Sequence, residues 1–338
     1  MMKRFLIPAL AAAGFTGLLH AAPLQVYILS GQSNMQGHAH IRTFDYMAKD
    51  PKTAPLLEQM RDRQGNPVVL DRTWITYLSE DRGGNPTVKD GKLTAGFGAR
   101  DEVIGPEFTF GITMEQLVDA PILIIKTAWG GKSLHTDFRP PSATGEEPGE
   151  YYKQMIAHVK TVLEDPKKVV PGYNARDGYE LAGFVWFQGW NDMTDGGTYP
   201  QRGRDGGYDK YRDYLAHFIR DVRNDLDAPD LPFVVGVLGV NGPTRDYESP
   251  RYVGIHQSFR DAMAAPAKMR EFRGNVANVL TEEFWDHELA AVRSKRDRTP
   301  EEEEIARGFS NQEFHYLGAA KILGPIGKAF AEAVHGLK

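Results

Sequence analysis

The segment Leu24-Gln-Val-Tyr-Ile-Leu-Ser-Gly-Gln-Ser-Asn-Met-Gln-Gly37 places a hydroxyl where chemistry can use it. A short apolar run ends abruptly in small and amide-bearing residues centred on Ser33, as when a buried parallel strand delivers a nucleophile to a sheet edge. Gly31 and Gly37 permit tight turns, and Gln32, Asn34 and Gln36 surround the hydroxyl with hydrogen-bonding groups. The nucleophile elbow G-x-S-x-G is not met, because Met35 stands where its closing glycine belongs. Ser33 is therefore a candidate from a different hydrolase architecture. Taken alone, the segment also reads as a polar strand-to-loop turn without chemistry.

Three later blocks change that balance. In Thr127-Ala-Trp-Gly-Gly-Lys-Ser-Leu134 a glycine after a strand can present its N–H outward. Val185-Trp-Phe-Gln-Gly-Trp-Asn-Asp192 ends a strand in side-chain amides. In Phe309-Ser-Asn-Gln-Glu-Phe-His315 a histidine precedes a C-terminal helix. The order is nucleophile, glycine, amide, histidine, which supplies every part that acyl transfer needs.

Here the sequence resembles the SGNH hydrolases, and within them the sialate O-acetylesterase-like carbohydrate esterases. The likeness runs from about Leu24 to the C-terminus and rests on Gly31-Gln-Ser-Asn-Met35, Gly130-Gly-Lys-Ser-Leu134, Trp186-Phe-Gln-Gly189 and Gly105-Pro-Glu-Phe-Thr-Phe-Gly111. It implies a three-layer α/β/α sandwich with a central parallel, flavodoxin-like sheet. It also implies Ser33 as nucleophile and His315 as general base, with the backbone N–H groups of Ser33 and Gly131, or of Gly130 in its place, facing the oxyanion. For the third donor, Gly189-Trp-Asn-Asp192 fits a general G-x-N-D pattern and nominates Asn191, whereas the acetylesterase pattern W-x-Q-G-E-x-D nominates Gln188. Gln32 and Glu107 sit inside matching blocks.

Two departures stand out. Trp190 replaces the glutamate of that branch, and Gln312 occupies the position, three residues before the histidine, where these esterases usually carry aspartate. Glutamine orients an imidazole but cannot stabilise imidazolium by charge. A backbone carbonyl, Glu313 or another acid would have to take over; in an extended segment Glu313 points to the same side as His315 without meeting it. The resemblance implies removal of O-acetyl groups from a sugar or polysaccharide through an acetyl-Ser33 intermediate, without metal or cofactor. One alternative is a broader lipase- or thioesterase-like hydrolase. Another, motivated by Gln312 and Trp190, is a carbohydrate-binding protein that has lost turnover.

His38 and His40 rival His315 as base by closeness to Ser33 in sequence, though both read as exposed loop residues. With His135 they form only a weak metal pattern, lacking a placed carboxylate. His256 and His287 read as ordinary helix or loop residues. Trp186 lies inside an apolar run and reads as core, while Trp190 is placed to line the mouth of the cleft. Glu301–Glu304 is a helix start: Thr299 caps, Pro300 takes the first turn, and Glu302 completes a capping box.

The elements that must position these groups are legible as apolar runs at Val26–Leu29, Ile122–Thr127, Phe184–Phe187, Phe233–Leu238 and Val276–Leu280. Helical periodicity marks Asp209–Leu226 and His315–Val334. Strands alternating with helices predict a doubly wound α/β sheet, whose site lies outside the carboxyl ends of the strands. Residues 41–102 and 138–150 read as insertions, the first holding a hairpin around Trp74–Leu78 and Gly83–Gly84, with a helix opening at Gly111–Gln116.

Lys3 and Arg4, the apolar stretch Phe5–Leu19, and Ala21–Ala22 have the layout of a signal peptide, so residues 1–21 are expected to be removed and the chain exported to the periplasm or medium. The 338 residues contain no cysteine, which excludes a disulfide framework, a thiolate nucleophile and a lipoprotein anchor. The remaining length suffices for one domain, residues 22–338. Loss of the two basic residues takes the formal charge from −5 to −7, which argues against nucleic acid or an anionic membrane as partner.

Overall fold

A computed structural model describes residues 22–143 and 145–337; the expected signal peptide lies outside the described residues. Among the described residues nine strands form: β1 (Leu24–Gly31), β2 (Ala39–His40), β3 (Thr73–Glu80), β4 (Pro86–Lys92), β5 (Val103–Ile104), β6 (Ile122–Ala128), β7 (Tyr179–Phe187), β8 (Phe233–Val237) and β9 (Val276–Leu280). Seven of them make the central sheet in the order β4-β3-β6-β1-β7-β8-β9, and β2 pairs with β5 apart from it. All five expected apolar runs are strands of this sheet.

The sheet is mixed, not wholly parallel. Six strands run parallel, and β4 pairs antiparallel with β3 at one edge. Both β3 and β4 come from the stretch read as an insertion, and the expected hairpin is their connection. Part of residues 41–102 is therefore central framework. Trp74, Thr76 and Leu78 alternate with Ile75, Tyr77 and Ser79, which gave a hairpin signal but no sign that β3 would also pair with β6.

The helices are α1 (Ser33–Gln36), α2 (Phe44–Met47), α3 (Ala54–Met60), α4 (Pro106–Leu117), α5 (Glu150–Glu164), α6 (Trp190–Thr194), α7 (Asp209–Asp225), α8 (Pro250–Ala264), α9 (His287–Ser294), α10 (Pro300–Ala306) and α11 (Ala320–His335). On one face α4 packs against α11, where Thr109 Oγ1 donates to the Gly324 carbonyl at 2.7 Å. On the other, α5 meets α7 through Tyr152, whose ring stands edge-on to Phe218 and whose hydroxyl donates to Asp225. Helices thus cover both faces of the sheet, as parallel strands buried on both sides require. The wholly buried β1 and β6 form its centre. Thr299 and Glu302 make the expected capping box at the start of α10.

Candidate active site

The register of three central strands gathers the blocks. Gly31 at the end of β1 pairs with Ala128 at the end of β6 and with Phe187 at the end of β7. The next residues of each chain, Gln32-Ser33, Trp129-Gly130-Gly131 and Gln188-Gly189, therefore emerge side by side at the carboxyl edge. Gly31 has to be glycine there: a Cβ would lie 2.2 Å from the Phe187 carbonyl oxygen.

Ser33 is the first residue of α1, so its N–H and those of Asn34 and Met35 have no intrahelical acceptor. Gln32, immediately before it, ties the end of β1 to the loop that follows β7. Its Oε1 accepts from the Gly189 N–H at 3.1 Å and from Gln188 Nε2 at 3.2 Å, while its Nε2 donates to Asn191 Oδ1 at 3.0 Å.

The two amides nominated as oxyanion donors differ in what they have left to give. Gln188 is buried and fully used: Nε2 donates to Asp192 Oδ2 (2.6 Å) and to the Lys132 carbonyl (3.0 Å), and Oε1 accepts from Tyr211. Asn191 is half-buried. Its Nδ2 donates one hydrogen to the Gly131 carbonyl at 3.0 Å, leaving the second without a protein acceptor among the described residues. Gly131 has φ +74°, which suits glycine, and Gly130 and Gly131 are both exposed.

Asp192 is a residue the sequence reading passed over. Fully buried, it accepts from the Leu134 and His135 backbone N–H groups, from Gln188 and from Tyr199, and so fastens the Gly130–Leu134 loop to α6. Burial raises its pKa above the usual carboxylate value, and the bonds from Leu134, Gln188 and Tyr199, with the charge of His135, oppose that rise. The aspartate in G-x-N-D was its only sequence signal.

His315 does not begin the last helix, contrary to the periodicity reading. It sits in a tight turn, 313–318, after which α11 starts at Ala320. Tyr316, Leu317 and Gly318 all have left-handed φ (52°, 59° and 55°), a cost of about 1–3 kcal/mol for each non-glycine residue. The Leu317 carbonyl accepts from the N–H groups of Ser310 and Asn311, and the buried Tyr316 hydroxyl accepts from Gly239 N–H. These bonds hold the turn against its strain.

Neither Gln312 nor Glu313 orients the imidazole. Gln312 is exposed and its Oε1 accepts from Arg293, while Glu313 makes no bond to His315 among the described residues. The partner is Asn311, whose Oδ1 lies 2.9 Å from His315 Nδ1. Asn311 Oδ1 also accepts the Gln312 N–H at 2.8 Å, which identifies it as the oxygen, so Nδ1 carries the hydrogen and Nε2 keeps its lone pair. Contact at i, i+4 arises only because the segment turns; in an extended chain Asn311 gives no such signal. The turn packs on α1, which brings His315 and Ser33 to the same edge. No hydrogen bond joins them among the described residues, and such bonds commonly tighten only with substrate bound.

The other histidines take different places. His38 is stacked on the His315 ring, and both its ring nitrogens are buried without partners. His40 Nδ1 accepts from Arg42 N–H. His135 meets Asp195 and Thr136, His256 meets Tyr247, and His287 faces Asp246 on the surface. The three histidines of the weak metal pattern are thus separated, and among the described residues no set of three or more His, Cys, Asp or Glu converges. Burial lowers the His315 pKa to about 4 and that of His38 to about 3, the latter lowered further by the charges of His315, Arg100 and Lys126.

Glu107 lies behind the site, not in it. Its carboxylate meets Lys126 Nζ at 2.7 Å, both side chains fully buried. Lys126 also donates to the carbonyls of Gln36 (2.8 Å) and Phe97 (2.7 Å). An ammonium there has all three hydrogens matched, and Lys126 braces the last residue of α1. Burial pushes the carboxyl up and the ammonium down, and their attraction opposes both. Trp190 is half-buried with its ring stacked on Phe314, 5.7 Å between centroids, beside a 400 Å³ pocket; Trp186 is core.

A serine on a helix start, glycine N–H groups, an unspent amide hydrogen and a histidine stand together at the carboxyl edge of a sheet covered by helices on both faces, an arrangement with the parts that acyl transfer needs. The carbohydrate esterase family described as sialic acid-specific acetylesterase matches residues 23–268, and the chain belongs to that family. NanS has a similar structure at 14% identity, with TM-score 0.50 over 93% of this chain and 97% of that one. A protein of Arabidopsis thaliana matches at 17% identity and TM-score 0.48, over 92% and 98% of the two chains. A carbohydrate acetylesterase from Xanthomonas citri matches at 17% identity and TM-score 0.44, over 77% of this chain and 50% of that one. No curated protein matches the sequence.

Proposed function

We propose that this chain is an exported serine esterase that removes O-acetyl groups from a carbohydrate through an acetyl-Ser33 intermediate. The observation that carries the reading is the tie of His315 Nδ1 to Asn311, which leaves Nε2 as proton acceptor on the turn that packs against Ser33's helix. Nε2 takes the Ser33 proton as Oγ bonds to the acetyl carbon, and the carbonyl electrons move onto its oxygen. The N–H groups of Ser33 and Gly131, with Asn191 Nδ2, receive that oxyanion. On collapse the bond to the sugar oxygen breaks and His315 returns the proton to it; water, activated by the same nitrogen, then releases acetate and frees Ser33.

Acetate release from an acetylated xylan and from p-nitrophenyl acetate tests this, with Ser33→Ala and His315→Ala as controls. Activity lost in both variants, and one acetyl group on Ser33 by mass spectrometry after rapid acid quench, is expected. Activity surviving Ser33→Ala overturns the site. Comparable rates on butyryl and longer esters would move the reading to a broad lipase-like enzyme. Glycan binding without turnover would move it to a binding protein; Asn311 supplies the orienting bond to the imidazole but not an aspartate's charge. Export is tested by N-terminal sequencing of the mature chain, where an intact Met1 would sink it.

A further inference from the structure

Next to the catalytic turn lies a pocket of about 350 Å³ lined by Arg42, Arg100, Arg293, Phe309, Ser310, Asn311 and Gln312. Three arginines and no acid line it, on a chain whose net charge is negative. None of the three pairs with a carboxylate among the described residues, whereas several arginines elsewhere do. Arg42 donates to the carbonyls of Arg307 and Phe309, and Arg293 to Gln312 Oε1 and the Asn311 carbonyl. Two guanidiniums are thus held in place by neutral oxygens with their charge uncompensated. Arg100 is exposed and its guanidinium has no hydrogen-bond partner among the described residues.

The pocket's position gives the cluster a meaning. Its wall includes Asn311, the residue that holds His315 Nδ1, so a group bound there lies one residue's width from the base. A guanidinium presents a planar fork of donors that matches an oxyanion, and three without counter-charge repel one another until one arrives.

Resting on the esterase reading above, we infer that Arg42, Arg100 and Arg293 form a subsite for an anionic substituent of the glycan, a carboxylate or sulfate carried near the acetylated hydroxyl. The pocket is open to water, so the attraction is screened and salt-sensitive. It selects acidic over neutral acetylated saccharides by lowering KM.

The test compares acetate release from an acetylated oligogalacturonide, from its methyl-esterified form and from an acetylated sulfated oligosaccharide. Expected is a kcat/KM for the carboxylate or the sulfate form roughly tenfold above the neutral ester at low salt, as one charged hydrogen-bonding group gives, shrinking as sodium chloride is added. The better of the two anions identifies the group. In Arg100→Gln and in Arg42→Gln/Arg100→Gln the ratio of acidic to neutral kcat/KM falls toward one, through KM. Equal values for acid and ester in wild type, or a ratio untouched by the variants, overturn the subsite. Binding of free galacturonate or of sulfate ion to the wild-type protein by calorimetry reads the pocket without turnover. Salt-sensitive binding lost in Arg100→Gln, with no acetate released from any substrate, would keep the subsite and sink the esterase; turnover of neutral esters without anion preference would do the reverse.

Discussion

The imidazole of His38 lies flat against that of His315, with ring centroids 3.9 Å apart and planes 7° from parallel. His38 follows α1 by two residues, so the segment that carries the nucleophile also supplies a wall for the base. The stack shields His315 from water, in keeping with the burial that lowers its pKa to about 4. Replacing His38 by alanine should admit water, let the imidazolium be solvated, and move the acidic limb of the kcat/KM profile from near pH 4 toward pH 6.5. His38→Phe keeps a flat neutral ring and should leave the limb near 4. Equal limbs in both variants would deny the stack any part in setting it.

Asn311 makes the neutral form of His315 the right tautomer without stabilising its charged form. Asn311→Asp should raise the acidic limb by a unit or more, because a carboxylate at Nδ1 favours imidazolium. Asn311→Leu should lower kcat by roughly 10²-fold or more through loss of the tautomer. A pH profile of each variant decides it; an unchanged limb in Asn311→Asp would point to another orienting group.

Asn191 and Gln188 should separate by kind of damage. Asn191→Ala should lower kcat by about 10²–10³ with a small change in melting temperature. Gln188→Ala empties a buried junction of four partners and should lower the melting temperature by several degrees. The opposite pattern would exchange their roles.

Breaking the Glu107–Lys126 pair leaves one buried charge alone. Lys126→Met should cost about 3–5 kcal/mol in denaturant unfolding, and Lys126→Met with Glu107→Leu should cost less than Lys126→Met alone. If the double variant is the less stable one, the carbonyls of Gln36 and Phe97 matter more than the ion pair.

Stability should fall in mild acid before the carboxylates titrate. His38 and His315, and His256 at about 4, have folded pKa values below the ordinary 6.5. Between about pH 6.5 and 4 the unfolded chain therefore binds more protons than the folded one, and stability drops as pH falls through that window. A melting temperature flat from pH 7 to 4.5 would contradict this.

Most of the framework was readable because buried parallel strands carry continuous apolar runs, and Ile122–Ile125 or Phe233–Val237 leave little choice. What escaped was set by contacts distant in sequence. Trp74–Leu78 signalled a hairpin, but its pairing to β6 depends on a neighbour some fifty residues on. Ser33, His315 and the glycines stood out by type and order. The roles of Asn311, His38 and Lys126 did not, since each acts through a turn, a stack or a buried bond that only the assembled chain creates.

The antiparallel strand β4 ends the sheet with Pro86, Lys89, Asp90 and Lys92 and is exposed along most of its length. Its neighbour β3 is almost wholly buried. A shortened chain that lost residues 81–92 would retain every group at the active edge, yet present β3 as an open, apolar border to other molecules. Such a trimmed enzyme would meet its limit in solubility, by strand-to-strand self-association, before it met one in catalysis.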